Sequence, residues 1–196
     1  MPEVITAEVP DLAAQVRAGD RRAIQTVVET YLAQILRAAH GAGLDPHQAE
    51  DVTQATFTTF IEVAPRFEGR SSVRTWLFGI LYKKIAEARR GRRRDRQMDE
   101  IDEAFESRFD ARGGWSRPPQ PVDTALHHKE LEAEIFACLD AAPLRQTLAF
   151  ILREVEELST EDICNVLGIT RTNLGVMLHR IRNRIRDCLE SKGVRR

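Results

Sequence analysis

The sequence has no long apolar run. Among its 196 residues, no stretch reaches the roughly 18 to 20 apolar residues that a membrane-spanning helix needs. The first fifteen or so residues are acidic and do not join a basic start to an apolar block, which is the pattern of a secretory signal. We therefore expect a cytoplasmic protein with no direct membrane insertion.

Cysteine is scarce as well. The chain has 3 cysteines, Cys138, Cys164 and Cys188. An odd number, without a CxxC pair, fits neither a disulfide framework nor a paired metal site. We expect all of them to be small buried apolar residues.

Catalytic signatures are also missing. The sequence contains no GxxxxGK[ST], HExxH, GxSxG or GxGxxG motif. The adjacent His127 and His128 would point apart on a helix, whereas a metal site needs three or four converging ligands. We therefore predict that the chain is not an enzyme and holds no metal or cofactor.

The charged residues are grouped in blocks of one sign, although the net charge of the chain is only -1. Residues 1–64 carry a balance of -5 and residues 97–170 one of -10, whereas residues 65–96 carry +8 and residues 171–196 carry +6. Two basic blocks separated by acidic stretches could hold a polyanion at two places. The alternative is two solvated basic faces without a ligand.

Helical periodicity dominates the rest of the pattern, and strand signals are few. One apolar stripe runs through Ala23, Ile24, Val27, Val28, Tyr31, Leu32, Ile35 and Leu36, and a second holds Phe57, Phe60, Ile61 and Ala64. Asp45 is placed to cap one helix, and Ser71 or Ser72 to cap another. We predict an all-α protein with two small helical domains, 8–96 and 124–192, joined by a flexible acidic linker at 97–123.

The second basic block has the pattern of a helix-turn-helix. Ser159 and Asp162 resemble a capping box, Gly168 suits a tight turn, and Thr170 can cap a long basic helix. The leading residues of such a helix can hydrogen-bond to base edges in the major groove, and its later arginines can contact phosphates. The leading residues here are Arg171, Thr172 and Asn173. The alternative is an amphipathic surface helix whose arginines pair with nearby acids.

The first basic block joins a polar loop to an aromatic helix. Aromatic and basic side chains in the loop could capture unstacked bases of a single strand. The candidates are Phe67, Arg70, Ser71, Ser72 and Arg74. Trp76 at its helical spacing is more typical of a core residue than of a stacking platform. The basic run that includes Lys83, Lys84 and Arg90 could also be a nonspecific nucleic-acid tail.

The segment AEDVTQATF is of a different kind. Asp51 and Gln54 share a helix face, and Phe57 follows one turn later. A polar pair beside apolar residues could receive a partner helix.

Together these stretches resemble the extracytoplasmic-function sigma factors of bacterial RNA polymerase. AEDVTQATF resembles their helix for the clamp helices of the polymerase large subunit. FEGRSSVRTWLFGILYKKIAEARRGRRR resembles the segment that melts and reads the minus-10 promoter element. LREVEELSTEDICNVLGITRTNLGVMLHRIRNRIR resembles the helix-turn-helix that reads the minus-35 element.

The resemblance implies a role for each matching position. Asp51, Gln54 and Phe57 would bind polymerase. The minus-10 DNA would meet the loop from Phe67 to Thr75, including Arg70, Ser71, Ser72 and Arg74, with Trp76 beside it and Lys83, Lys84, Glu87 and Arg90 on the adjoining helix. The minus-35 DNA would meet Arg171, Thr172, Asn173, Val176, His179 and Arg180. An anti-sigma factor would be a further partner.

Some positions depart from the family pattern. Ala55 stands where an acid is usual, Lys83 where Asn is usual, and Glu87 in place of Asp. Gly175 and Met177 stand where Lys and Arg are common, so the usual minus-35 phosphate contacts are in doubt. Two other functions stay open: an autonomous helix-turn-helix regulator, and an adaptor that binds polymerase or an anti-sigma factor without initiating transcription.

Overall fold

The computed structural model describes residues 12–89 and 128–193, and every regular element in these ranges is helical. The first range holds α1 (Leu12–Arg17), α2 (Arg21–Gly41), α3 (Pro46–Val63), a short 3-10 turn (Ala64–Arg66) and α4 (Val73–Arg89). The second holds α5 (His128–Leu139), α6 (Leu144–Phe150) with a π-helical turn after it (Ile151–Val155), α7 (Thr160–Leu167) and α8 (Arg171–Ser191). The all-α prediction is confirmed. The predicted linker at 97–123 lies outside the described residues.

Side-chain caps fix where the first-range helices begin. The Asp20 carboxylate accepts hydrogen bonds from the backbone N–H groups of Arg22 and Ala23, at 2.8 and 2.9 Å. Asp45 accepts from the N–H of Gln48 at 2.9 Å, as predicted. Ser72, and not Ser71, caps α4, because its Oγ accepts from the N–H of Thr75 at 3.1 Å. These polar side chains satisfy N–H groups that the first turn of a helix leaves without partners.

The first four helices enclose an aromatic and aliphatic core. α3 packs on α2 and α4, and Phe60, Leu77, Phe78 and Leu81 are buried between them. The two apolar stripes are wrong at two positions, but they correctly predict the buried residues Ala23, Val27, Ile35, Phe57, Phe60 and Ala64. Leu32 is 45% exposed and Ile61 47% exposed, so each lies at the outer edge of its stripe.

The second group of helices forms around α8. The apolar face of α8 packs on α6 and α5, and its buried residues are Leu174, Met177, Leu178, Ile181 and Ile185. Gly168 links α7 to α8 in the left-handed conformation, with φ at 64°, where an L side chain would be strained.

A disulfide joins α5 to α8, which corrects the expectation of unpaired cysteines. Cys138 and Cys188 are 50 residues apart in sequence, and their Cα atoms are 5.9 Å apart in the fold. Cys164 is a free thiol. Cysteine spacing could not predict this pair, because only the packing of α5 on α8 brings the two residues together.

The two helical groups pack against each other through α4 on α7, and through α2 on α6 and its π-helical turn. One continuous cluster of buried apolar residues includes Leu77 and Leu81 from the first group and Leu152 and Ile163 from the second. Separately, none of the described helices is long and apolar enough to span a membrane.

Candidate nucleic-acid interface

The start of α8 presents three exposed polar residues. The Thr170 hydroxyl accepts a hydrogen bond from the N–H of Asn173 at 3.2 Å and caps the helix, as predicted. Arg171, Thr172 and Asn173 are exposed in the first turn that follows. A guanidinium, a hydroxyl and an amide can all hydrogen-bond to base edges in a major groove. The geometry therefore leaves the leading face of a helix-turn-helix open to DNA.

The next turn of α8 separates surface from core. Val176 is 40% exposed, and a Cβ built on Gly175 would meet nothing within 4 Å. Met177, by contrast, is 1% exposed and packs inward. A cation at this position would point into the core of this chain, so Met177 is not a position from which a phosphate contact has been lost. The doubt about phosphate contacts remains only at Gly175.

His179 and Arg180 are half-buried on the same helix. The side-chain amide of Asn183 lies 3.1 Å from His179 Nδ1. Burial lowers the pKa of His179, and the positive charges of Arg182 and Arg186 lower it further. Both effects favour the neutral imidazole.

The later arginines of α8 are engaged within the protein. Arg182 donates to Glu154 Oε1 at 2.5 Å, and Arg184 donates to the backbone oxygen of Ala141 at 3.3 Å. Phosphate contacts by these arginines would replace interactions that already exist. The alternative of arginines paired with nearby acids therefore holds for Arg182, although not for the exposed Arg171.

The loop before α4 is supported by stacked aromatic rings. Phe67 is 5% exposed and stacks on Trp76 with ring centroids 4.6 Å apart. Trp76 also meets Phe60 edge-on at 5.5 Å. Phe67 and Trp76 therefore support the loop from the protein interior. Because the two rings stack on each other, neither is fully exposed for stacking on a base.

The polar members of this loop differ in exposure. Arg70 is exposed and pairs with Glu68, and Ser72 is exposed beside the half-buried Ser71. Thr75 is buried at 4% exposure. Arg74 is half-buried, with its Nε donating to Gln34 Oε1 at 3.0 Å. The sequence placed these residues in one loop, but Arg74 and Thr75 lie in the first turn of α4 and are already hydrogen-bonded within the protein.

The helix after the loop carries the remaining candidates. Lys83 is exposed, and Lys84 lies 3.7 Å from Glu87 in a pair three residues apart. Arg90 lies outside the described residues. Lys83 and Lys84 add positive charge to the helix that follows the loop, which suits a nucleic-acid backbone.

A polar and apolar stripe on α3 forms a separate surface, which we call the α3 face. Asp51 and Gln54 are exposed, as their predicted role requires, but Phe57 is 7% exposed and packs inward. Phe57 can therefore only support this surface from within. The exposed residues that continue the stripe are Thr58, four residues after Gln54, and the half-exposed Ile61, three residues after Thr58. Sequence reasoning did not single out Thr58, and it placed Ile61 in an apolar stripe because Ile61 also fits the core pattern.

Metal ligands do not gather anywhere in 12–89 or 128–193. Over these ranges, no group of three or more His, Cys, Asp or Glu side chains is placed to hold an ion.

Two family models match the chain, and they match the two helical groups in order. The first is Sigma-70 region 2, over residues 27–95. The second is Sigma-70, region 4, over residues 132–185.

Individual relatives and a solved structure agree with this assignment. The "Probable RNA polymerase sigma factor" of Haemophilus influenzae is 30% identical over 151 residues, which are 74% of this chain and 78% of that protein. The "ECF RNA polymerase sigma factor SigD" of Mycobacterium tuberculosis is 29% identical over 93% of this chain and 84% of its own. The Bartonella quintana sigma factor RpoE, solved in complex with the anti-sigma factor NepR, has a similar fold. Its TM-score is 0.61 at 22% identity, over 85% of this chain and 96% of that one.

The chain belongs to the sigma-70 family of RNA polymerase sigma factors, in its extracytoplasmic-function group. It binds RNA polymerase core and directs promoter-specific initiation of transcription. We refer below to the matched ranges as region 2 and region 4.

Proposed function

We propose that three surfaces divide the work of this sigma factor. The α3 face binds the clamp helices of the polymerase large subunit. The loop from Phe67 to Thr75 captures an unstacked base of the minus-10 element, and the start of α8 reads the minus-35 element in the major groove. The observation that carries the proposal is that exposed polar residues lie on region 2 and on region 4 of one chain.

Polymerase binding would combine two kinds of contact. Asp51 and Gln54 offer hydrogen-bonding groups, and Ile61 offers apolar area that is still 47% exposed. An apolar residue rimmed by polar groups is typical of a helix that receives a partner helix.

Promoter opening would follow from base capture. Unstacking a base costs a few kcal/mol, and stacking or hydrogen bonds to the extruded base offset it. The exposed Ser72 and Arg70 lie at the loop surface, and the cations of Lys83 and Lys84 follow on α4. The chain would act by binding alone, in the cytoplasm where polymerase works, without catalysing a reaction itself.

An anti-sigma factor would control the chain. The sigma factor RpoE, similar in fold, was solved with such a partner. A protein of this kind would cover the α3 face or the DNA surfaces and would be displaced when transcription is required.

Footprinting of the holoenzyme tests the division of labour. With purified core and the promoter of the chain's own operon, Arg171→Ala should weaken protection of the minus-35 element by about 1–3 kcal/mol in binding free energy. Lys192→Ala is the matched control, because Lys192 follows α8 and pairs with Glu134 at 2.6 Å. Equal footprints from the two variants would contradict the assignment of the start of α8. A strong gel shift by the chain alone would favour an autonomous regulator.

A further inference from the structure

A buried carboxylate of region 4 lies between two arginines of region 2. The Glu156 side chain is 1% exposed. Its Oε1 accepts from Arg37 Nε at 2.9 Å, and its Oε2 accepts from Arg37 Nη2 at 3.3 Å. Arg74 Nη2 donates to the Glu156 backbone oxygen at 2.6 Å and lies 3.7 Å from Oε2. Glu156 thus pairs with Arg37 and also places its negative charge beside Arg74, which belongs to the predicted minus-10 loop.

A second acid of region 4 reaches the same loop. The Thr75 hydroxyl donates to Asp162 Oδ1 at 2.7 Å. Ser72 Oγ lies 2.8 Å from Thr75 Oγ1, and it donates there, because the Thr75 proton is already given to the carboxylate. Asp162 therefore sets the direction of a chain of hydroxyl groups that begins at the exposed Ser72.

We propose that Glu156 and Asp162 form an autoinhibitory latch, in which two carboxylates of region 4 occupy the minus-10 loop in the free protein. The latch rests on the proposed role of that loop, and it acts by competition. Phosphates and bases need the guanidinium of Arg74 and the hydroxyl chain, and DNA cannot share them with two negative charges. Region 4 must leave the loop before minus-10 DNA enters.

The latch leaves the polymerase surface accessible. Asp51, Gln54 and Ile61 of the α3 face stay exposed while region 4 is packed on region 2. Core polymerase can therefore bind the closed chain first, and opening follows on the enzyme. This order keeps the chain from binding single-stranded DNA before it has joined polymerase.

A glycine at the end of α2 fits the same closed arrangement. A Cβ added to Gly41 would lie 2.8 Å from Ile151 Cδ1 and 2.9 Å from Phe136 Cε1, both in region 4. The closest atoms to this position belong to the other half of the molecule. A larger side chain at Gly41 would press the halves apart without touching any polar group of the loop.

Two variants of the full chain test the latch by independent routes. Glu156→Gln removes the buried charge, and Gly41→Leu acts by size. Glu161→Gln is the matched control, because Glu161 is an exposed acid in the first turn of α7. Three readouts are compared: amide hydrogen exchange over residues 67–75, affinity for a single-stranded oligonucleotide with the non-template sequence of the chain's own promoter, and run-off transcription with core.

We expect faster amide exchange in the loop of both latch variants, and binding of the oligonucleotide that is at least about tenfold tighter. A change of this size is expected when a charged hydrogen bond that masks a binding site is lost. The Glu161→Gln control should behave as wild type. Unchanged exchange and affinity in both variants would overturn the latch, even if run-off transcription by wild type succeeds. Failure of wild type in run-off transcription would instead count against the proposed function.

Discussion

Ile61 offers the sharpest test of the α3 face, because it is a large apolar side chain that the fold leaves half exposed. Replacing Ile61 with Ala should weaken binding to core polymerase while hardly changing the stability of the free chain. Surface substitutions away from packed features usually alter stability by no more than about 0.5 kcal/mol.

The size of the effect follows from the exposed fraction. Burying a whole Ile side chain is worth about 1.5–3 kcal/mol, and 47% of Ile61 remains to be buried. A polymerase contact that covers the remainder therefore contributes roughly 1 kcal/mol, or about a fivefold change in the dissociation constant. Ile61→Asp should weaken binding further, because a carboxylate would have to lose its water at the interface.

Fluorescence anisotropy of labelled chain titrated with core measures the change. Leu32→Ala is the matched control, since Leu32 is 45% exposed on α2 and is not one of the α3 face residues. Equal affinities for wild type and both Ile61 variants would refute the placement of the polymerase contact. A large loss of stability in Ile61→Ala would refute the description of Ile61 as a surface residue.

Three further predictions concern the supporting structure. Trp76→Ala should lower the free energy of unfolding by about 3 kcal/mol, because its ring packs on Phe60 and Phe67; unchanged urea unfolding with lost promoter melting would instead make Trp76 a stacking platform. The pKa of His179 is lowered in the folded chain, so its contribution to stability is present above the unfolded value of about 6.5 and is lost as pH falls below it. His179→Gln should flatten this acidic decline in unfolding experiments, and an unaltered pH profile would contradict the assignment. Reduction of Cys138–Cys188, which spans 50 residues, should lower the stability of the second helical group by roughly 4 kcal/mol in the chain-entropy model; identical thermal melts with and without reductant would count against the pair.

Much of the local structure was predictable, because it depends on residues close in sequence. Asp45, Ser72, Ser159 and Thr170 all cap helices through hydroxyl or carboxylate oxygens. Each acts on an N–H group three residues away, so a short pattern is enough to identify it. The left-handed Gly168 follows from the same local reasoning.

The edges of the helical stripes were less predictable. A period of 3.6 residues shows which side of a helix is apolar, but not how far the neighbouring helices cover it. Ile61 and Leu32 therefore fitted the core pattern although both are exposed. Phe57 and Met177 show the opposite error. Both align with functional positions of the family, but both are buried.

Contacts between distant parts of the chain could not be predicted from one sequence. Arg37 and Glu156 are 119 residues apart, and Thr75 and Asp162 are 87 apart. Asp162 was expected to complete a capping box with Ser159. Its carboxylate does accept from the Ser159 hydroxyl at 2.6 Å, but it also accepts from Thr75 across the domain contact. Only the packing of α7 on α4 reveals that second bond.

Run-off transcription tests most directly whether region 2 and region 4 of one chain open a promoter together. Purified chain is added to sigma-free core polymerase on a template that carries the promoter of the chain's own operon. We predict a transcript of defined length that needs the chain and disappears when the minus-10 or the minus-35 element is scrambled. A chain that joins core yet yields no transcript from this or any other genomic template would contradict the account.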